Sequence, residues 1–167
     1  MSAVSNASPL IALARIGRFT LLHDLFDYIL VPVAVWQEVV AQGTDRPGSA
    51  ECEAAADAGW LECQAIQDTW AATLLQAHLG PGESEVIVLA RESSAEWLLM
   101  DDDLGRAYAL RLGLPVKGTV GILVAASHAG LIQDLQEALD ALRLEGFRIS
   151  DHLYSRVLRE ARHAGLG

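Results

Sequence analysis

The chain has 167 residues, which is the usual length of one domain, so we expect residues 1–167 to form a single domain and not a two-domain enzyme. Hydrophobic residues make up 51% of the sequence and charged residues 20%, a composition that supports a packed core and excludes a disordered chain. The formal net charge of −10 makes the average field of the protein repel phosphate groups. A nucleic-acid ligand would therefore need a local basic surface or bound cations.

The cysteines and the N-terminus indicate where the protein is located. Cys52 and Cys63 lack the CxxC spacing of a metal site, and two thiols do not make a disulfide scaffold. The N-terminal residues carry no basic segment ahead of an apolar run, and no apolar stretch is long enough to cross a bilayer. We therefore expect a soluble cytoplasmic protein that does not enter a membrane.

Short apolar runs alternate with longer stretches of helical periodicity, which predicts an α/β fold with a mainly parallel sheet. In the first part of the chain, strands are predicted over residues 3–5, 28–31 and 60–65. Helices are predicted between them, the first with Ser8 as its N-cap and Pro9 as its first residue. The later ones cover residues 19–26, 33–41, 50–58 and 69–78, with Ser49 as a cap.

The second part of the chain continues the same alternation. A helix over 83–92 leads into a strand over 97–100, and three aspartates follow that strand directly. The remaining elements are a helix over 105–112, a strand over 115–117 and helices over 119–129, 132–145 and 152–163. Asp151 or Ser150 is the predicted cap of the last helix.

Four polar residues are expected to meet at one edge of this sheet. Asn6 follows the first strand, and Asp101 and Asp102 follow the strand over 97–100. Glu83 lies in the first turn of the helix that leads into that strand. Because the carboxyl ends of parallel strands and the amino ends of the adjoining helices share one edge, where ligands bind, these side chains should converge.

The aspartate run, Asp101 to Asp103, has two explanations. Adjacent carboxylates repel one another unless a cation or an arginine neutralises them, and oxygen ligands suit Mg²⁺ or Mn²⁺, with Mg²⁺ as the default. The run is equally explained as a solvated turn that stabilises the amino end of the next helix, as Glu83 can do in its own helix. Arg106, which follows closely, is expected to pair with the aspartates or to contact a substrate phosphate.

Several segments, in this order, resemble the PIN-domain superfamily: SNASPLIALARIG, VPVAVWQEVV, LGPGESEVIVLA and WLLMDDDLGRAYALRLGLPVKGTVGILVAASHAGLI. The resemblance covers nearly the whole chain, to the GFRIS segment at 146–150, and is greatest to a bacterial and archaeal PIN-like family with no assigned function. It implies a three-layer α/β fold with a central, mainly parallel sheet flanked by helices. It also implies a Mg²⁺- or Mn²⁺-dependent ribonuclease with RNA as substrate. Many bacterial PIN proteins are toxins of toxin–antitoxin pairs, so an antitoxin partner and a homodimer are implied as well.

The resemblance also assigns roles to individual residues. The family's first-strand Asp falls on Asn6, with Ser8 as its hydroxyl companion. Its other acidic positions fall on Glu38, on Glu83 and on Asp102 or its neighbour Asp101. These residues would be catalytic or metal-binding, with Arg106 in support. Without the resemblance, Glu38 is as well explained by a solvent-facing position on its helix.

Asn6 departs from the family pattern, because an amide removes one negative charge where the family typically has Asp. Metal affinity should therefore be lower than is typical, although an amide oxygen still binds Mg²⁺. The expected activity is phosphodiester hydrolysis by metal-activated water, without a covalent protein intermediate. One alternative is a catalytically weak or inactive PIN-like module that binds RNA or protein. Another is a haloacid-dehalogenase-type phosphatase, since Asp101 to Asp103 also spell D-x-D, but Gly105 stands where that motif has Thr or Val.

Overall fold

The computed structural model describes residues 1–165 and has one five-stranded sheet within them. The strands are β1 (Ser2–Ser5), β2 (Tyr28–Pro32), β3 (Leu61–Gln64), β4 (Trp97–Leu99) and β5 (Val116–Lys117). Their order is β3-β2-β1-β4-β5, and every neighbouring pair is parallel. Parallel neighbours need long crossover connections, which the helices supply. The predicted α/β class is confirmed, and the sheet is parallel throughout the described residues.

Helices flank the sheet along the whole described chain. The first five are α1 (Ala7–Arg15), α2 (Leu21–Phe26), α3 (Val33–Trp36), α4 (Ser49–Asp57) and α5 (Thr69–Leu75). The other five are α6 (Pro81–Ser93), α7 (Asp103–Arg111), α8 (Thr119–His128), α9 (Leu135–Leu144) and α10 (Asp151–His163). No helix within residues 1–165 is both long enough and apolar enough to span a membrane.

The sheet is central in the core. Val4, Ile29 and Leu98, on three adjacent strands, are all nearly or fully buried. A parallel sheet covered by helices on both faces needs such apolar strands, since neither face meets water. On α8, Ile122 and Leu123 are fully buried and join the same hydrophobic cluster, as expected for a helix with so few polar residues.

Three helix beginnings test the predicted caps, and two of those caps are wrong. Asn6 is the N-cap of α1, so Ser8 lies inside the first turn and its hydroxyl bonds elsewhere. Gly48 is the N-cap of α4, because it adopts φ +99° and its N–H donates to Glu51 Oε2 at 2.9 Å. Ser150, one of the two residues predicted for α10, caps that helix by accepting from Leu153 N at 3.1 Å.

The helix after β2 differs from the predicted regular helix over 33–41. It is α-helical only to Trp36 and continues as a π-helical turn, Gln37–Ala41, in which Gln42 N donates to Gln37 O at 2.7 Å. Such single π-turns are rare and occur frequently at functional sites. Glu38 lies in this turn.

The strand order creates one crevice at the carboxyl edge of the sheet. From the central strand β1 the chain runs outward to β2 and β3, and then crosses to β4 and β5 on the other side. The strand order therefore reverses between β1 and β4, the position where open α/β sheets bind ligands. Asn6 follows β1 and the aspartates follow β4, so both stand at this position.

Candidate functional site

Asn6 is the buried residue at the centre of the carboxyl edge, with 4% of its surface exposed. Its backbone N–H donates to Leu99 O at 2.9 Å and so ties the end of β1 to β4. Its side-chain Nδ2 donates to Glu83 Oε1 at 3.4 Å, a long hydrogen bond. The amide nitrogen therefore donates to a carboxylate. The amide oxygen, Oδ1, accepts no hydrogen bond from the described residues.

Glu83 and Glu38 come to Asn6 from two different elements. Glu83 is half-buried in the first turn of α6, and Glu38 lies in the π-turn after α3. A Cβ added to Gly82 would lie 3.2 Å from Asn6 Oδ1 and 3.5 Å from Glu38 Oε2, so both oxygens stand directly over this glycine. We refer to Asn6, Glu38 and Glu83 as the glutamate cluster.

The glutamate cluster is electrostatically unfavourable for the folded protein. Glu38 is exposed, as a solvent-facing position on its helix would have it, but the protein around it removes part of its water and so raises the pKa of its carboxyl group. The negative charge of Glu83 raises that pKa further. Among residues 1–165, neither glutamate forms an ion pair. Two carboxylates held close together without a positive partner are suited to bind a cation.

Asp101, in contrast, is fully occupied by hydrogen bonds. Its Oδ1 accepts from Thr119 N at 2.7 Å, and its Oδ2 accepts from the hydroxyls of Thr119 and Ser8 at 2.6 and 2.8 Å. These bonds join the end of β4 to the amino ends of α1 and α8. A carboxylate with three short donors has little need of a metal ion.

Asp102 is the N-cap of α7, and its Oδ2 accepts from Gly105 N at 2.7 Å. Asp103 occupies the first turn of the same helix and is exposed. The geometry of these two residues matches the explanation of the run as a helix-capping turn. Asp102 nevertheless borders the same crevice as Asn6 and Glu83.

Arg106 was expected to pair with the aspartates, and it does not. Within the described residues it forms no ion pair with them, and its Nη1 donates to Met100 O at 3.1 Å. The physical reason is that Asp101 already receives donors from Thr119 and Ser8. Arg106 stays close, since a Cβ at Gly118 would meet both its Nη1 and Asp101 Oδ1.

Two residues of this region were not predicted. Thr119 is separated from the end of β5 only by Gly118, so the strand-end argument, extended by one residue, would have selected it. Gly82 lies next to Glu83 in the GPG segment, and its need for a small side chain follows only from the three-dimensional contacts with Asn6 and Glu38.

Two grooves meet at the site. The first has a volume of about 410 Å³ and is bordered by Glu38 and Arg15, among others. The second has a volume of about 1380 Å³ and is bordered by Asp101, Asp102 and Arg106, among others. The residues that border both grooves are Asn6, Ser8, Glu83, Phe147 and Arg148. Every residue predicted for the site therefore borders at least one groove.

Basic residues are over-represented around the two grooves, where six of the 22 acidic residues also lie, although the chain has a net charge of −10. Five of its 12 Lys and Arg residues border them: Arg15, Arg106, Lys117, Arg148 and Arg156. Basic side chains around a small acidic centre can attract a phosphate backbone locally in spite of the overall charge.

The donors of the site suit a hard divalent ion. All of them are oxygens, and Mg²⁺ needs only one or two carboxylates besides water and substrate phosphate. No group of three or more His, Cys, Asp or Glu side chains within residues 1–165 is arranged to hold a metal. The possible metal ligands at this site are therefore the carboxylates of Glu38 and Glu83, with the amide oxygen of Asn6 as a third ligand.

Comparison with known families agrees with this fold. The parallel α/β sheet with its acidic carboxyl edge is of the class that the resemblance implied, and a family model described as a PIN domain matches residues 2–163. The match spans nearly the whole sequence, so the chain belongs to the PIN-domain family, a nuclease-type family. A search of curated proteins found no match.

Proposed function

We propose that the protein is a divalent-metal-dependent ribonuclease. The observation that carries this proposal is the glutamate cluster. The amide oxygen of Asn6 and a carboxylate oxygen of Glu38 stand over Gly82, the Glu83 carboxylate accepts from Asn6, and neither glutamate has a positive partner among the described residues. The cluster lies where two grooves meet, so a polymer can pass across it.

Each residue has a role in this proposal. Glu38, Glu83 and Asn6 Oδ1 would hold the ion, which when bound supplies polarisation of a phosphoryl oxygen and a lowered pKa for an attacking water. Asp101 acts by fixing the ends of α1 and α8 beside the site. Asp102 caps α7 through Oδ2 and keeps Oδ1 available for a water or an ion.

RNA is the proposed substrate because of the family and because of the charge distribution. The basic residues bordering the grooves offer contacts for backbone phosphates on both sides of the glutamate cluster. Elsewhere the excess of acidic residues repels nucleic acid, which confines binding to the grooves.

Cleavage of labelled RNA in the presence of Mn²⁺ or Mg²⁺ tests the proposal. Glu83→Gln should lower the rate at least about 100-fold, because it removes a charged ligand. Glu137→Gln is the matched control, since Glu137 is also an acidic first-turn residue but borders neither groove. Equal rates for the wild type and Glu83→Gln, or cleavage that survives chelation of the metal, would contradict the proposal.

A non-catalytic PIN-like module that binds RNA or protein is the second candidate. The observation in its favour is that Asn6 donates to Glu83, so the amide already satisfies part of the charge that a metal would neutralise. Calorimetric titration with Mn²⁺ separates the candidates. Binding of Mn²⁺ that Glu83→Gln abolishes supports the nuclease, whereas RNA binding with no response to Mn²⁺ supports the module.

The phosphatase alternative needs Asp101 as a free nucleophile, and its two oxygens accept three hydrogen bonds instead. A toxin role with an antitoxin partner, and a homodimer, remain part of the proposal on the family resemblance alone. Growth arrest on expression, relieved by a protein from the adjacent reading frame, is the result expected of a toxin. Sedimentation of the purified chain tests the homodimer.

A further inference from the structure

We propose that Phe147 and Arg148 form a binding element for single-stranded RNA, in which the phenyl ring stacks on an unpaired base and the guanidinium binds the neighbouring phosphate. The inference rests on the proposed function, because it gives that site its preference for unpaired strands. Both residues belong to the segment between α9 and α10, which lies outside the glutamate cluster.

The segment lies beside both grooves. Phe147 and Arg148 border both grooves, as do Asn6 and Glu83, and they do so from the side of the C-terminal helices. A strand that runs from one groove to the other therefore passes this pair at the point where it passes the glutamate cluster.

The backbone of the segment is fixed before any ligand binds. Gly146 ends α9 with φ +88°, its N–H donates to Arg143 O at 3.0 Å, and Phe147 N–H donates to Leu142 O at 3.0 Å. This pair of bonds is a Schellman motif, which needs glycine at the position with positive φ. Two ordering bonds on one side thus hold Phe147 in place.

The other side of the segment is held as well. Ile149 is 8% exposed, and its carbonyl accepts from Arg143 Nη2 at 2.9 Å. Ser150 then caps α10. With anchors on both sides, binding an RNA strand costs little additional ordering of the backbone.

Both side chains border the grooves although their backbone is fixed. Phe147 is half-buried because part of it packs against the hydrophobic core. Arg148 is exposed, and within the described residues it forms no ion pair or side-chain hydrogen bond. A planar guanidinium binds two phosphate oxygens at once, and an aromatic ring stacks on any base that is not already stacked in a duplex. A ring beside a guanidinium therefore suits an unpaired nucleotide.

The test measures the affinity of a fluorescent single-stranded RNA by anisotropy, in parallel with the same sequence as a duplex. All variants carry Glu83→Gln and are measured with Mg²⁺ present, so that cleavage does not interfere. Phe147→Leu should weaken binding of the single strand about tenfold and leave duplex binding unchanged, because only stacking on an unpaired base is lost. Phe147→Tyr, which keeps a ring, should restore the wild-type affinity.

Arg148→Gln should weaken binding of both RNAs and lower the slope of log affinity against log salt by about 1, since one phosphate contact is lost. Arg91→Gln is the control, because Arg91 is exposed near the far end of α6 and borders neither groove. It should change neither the affinity nor the slope.

If Phe147→Leu and Arg148→Gln bind the single strand as tightly as the parent protein, the inference is overturned. The proposed function would still stand if the protein with wild-type Glu83 cleaves RNA. Equal losses for the single strand and the duplex in Phe147→Leu would also overturn the inference, because they would show a structural effect. If the protein neither binds nor cleaves RNA, both the inference and the proposed function fail.

Discussion

Two groups of carboxylates stand at the same edge of the sheet and differ in what surrounds them. Asp101 accepts three hydrogen bonds of 2.6 to 2.8 Å from Ser8 and Thr119. Glu83 accepts a single bond of 3.4 Å from Asn6, and the pKa of Glu38, which is exposed, is raised by partial loss of its water and by the charge of Glu83. The negative charge of Asp101 is stabilised by hydrogen-bond donors of the protein, whereas the charges of Glu38 and Glu83 have no comparable set of donors among the described residues.

The difference shows that acidic residues adjacent in sequence are not necessarily the ones that hold a cation. The aspartate run is prominent in the sequence, but its first residue ties three elements together and its second caps α7. Glu38 and Glu83 are 45 positions apart in the numbering and meet only in the fold. A cation is therefore expected at Glu38 and Glu83 and not at the aspartates.

The largest expected effect on stability is that of Asp101→Asn. An amide cannot accept bonds on its nitrogen, so a Ser8 or Thr119 donor loses its partner, and the free energy of unfolding should fall by about 2–4 kcal/mol. Urea denaturation measures this change. Asp140→Asn is the control, because Asp140 accepts one bond at the surface, from Tyr154, and should cost less than about 1 kcal/mol. Equal losses of unfolding free energy in Asp101→Asn and Asp140→Asn would show that the hydrogen bonds of Asp101 do not stabilise the fold more than a surface bond does.

Asn6→Asp should strengthen the glutamate cluster as a cation site. A third carboxylate replaces the amide that donates to Glu83, so Mn²⁺ should bind about tenfold more tightly and cleavage should accelerate. Without metal the same variant should unfold at a lower temperature, because three carboxylates repel one another. Calorimetry and thermal unfolding with and without Mn²⁺ measure both effects. A variant with unchanged Mn²⁺ affinity would place the ion elsewhere.

Asp102→Ala and Asp134→Ala each remove a side-chain cap, the first from α7 and the second from α9. Each should cost about 1 kcal/mol of unfolding free energy. Because Asp134 borders neither groove, any additional loss of Mn²⁺ affinity in Asp102→Ala measures the part that Asp102 plays in cation binding. A loss as large as that of Glu83→Gln would make Asp102 an equal ligand.

The smallest effect is expected from Glu38→Gln. The pKa of Glu38 is raised above its ordinary value of 4.5, so the folded chain keeps this proton to higher pH than the unfolded chain does. The stability that comes from binding this proton is fully present below pH 4.5. It is lost as the pH rises through the pKa of the folded state. Glu38→Gln should therefore raise the melting temperature at pH 7, by at most about 3 °C for a partly exposed group, and not near pH 4. A lower melting temperature of Glu38→Gln at pH 7 would contradict a repulsion between Glu38 and Glu83.

The elements and the edge of the sheet that carries the site were predictable from the sequence. Strand-end positions predicted that Asn6, Glu83 and Asp101 would share one edge, because the carboxyl ends of parallel strands must meet there. The roles within that edge depend on contacts between distant segments. The reach of Thr119 to Asp101, and the space over Gly82, cannot be derived from local periodicity.

The π-turn at Glu38 shows the same limit. Its sequence suits an α-helix, and nothing in the residues 33–41 distinguishes the two winding patterns. Ser8 shows it at a helix end: the Ser-Pro pair predicts a cap, but the helix already begins at Ala7 with Asn6 as its N-cap, and the Ser8 hydroxyl donates to Asp101, 93 residues away. Local rules therefore located the elements well but missed the exact helix ends and the winding of the turn that carries Glu38.

The most direct measurement is a crystal structure of the protein with Mn²⁺, using the anomalous signal to locate the ion. We expect one anomalous peak between Glu38, Glu83 and the Oδ1 atom of Asn6, with Asp101 still bonded to Ser8 and Thr119. A peak coordinated by Asp101 and Asp102 in place of the glutamates, or no peak at saturating Mn²⁺, would contradict it.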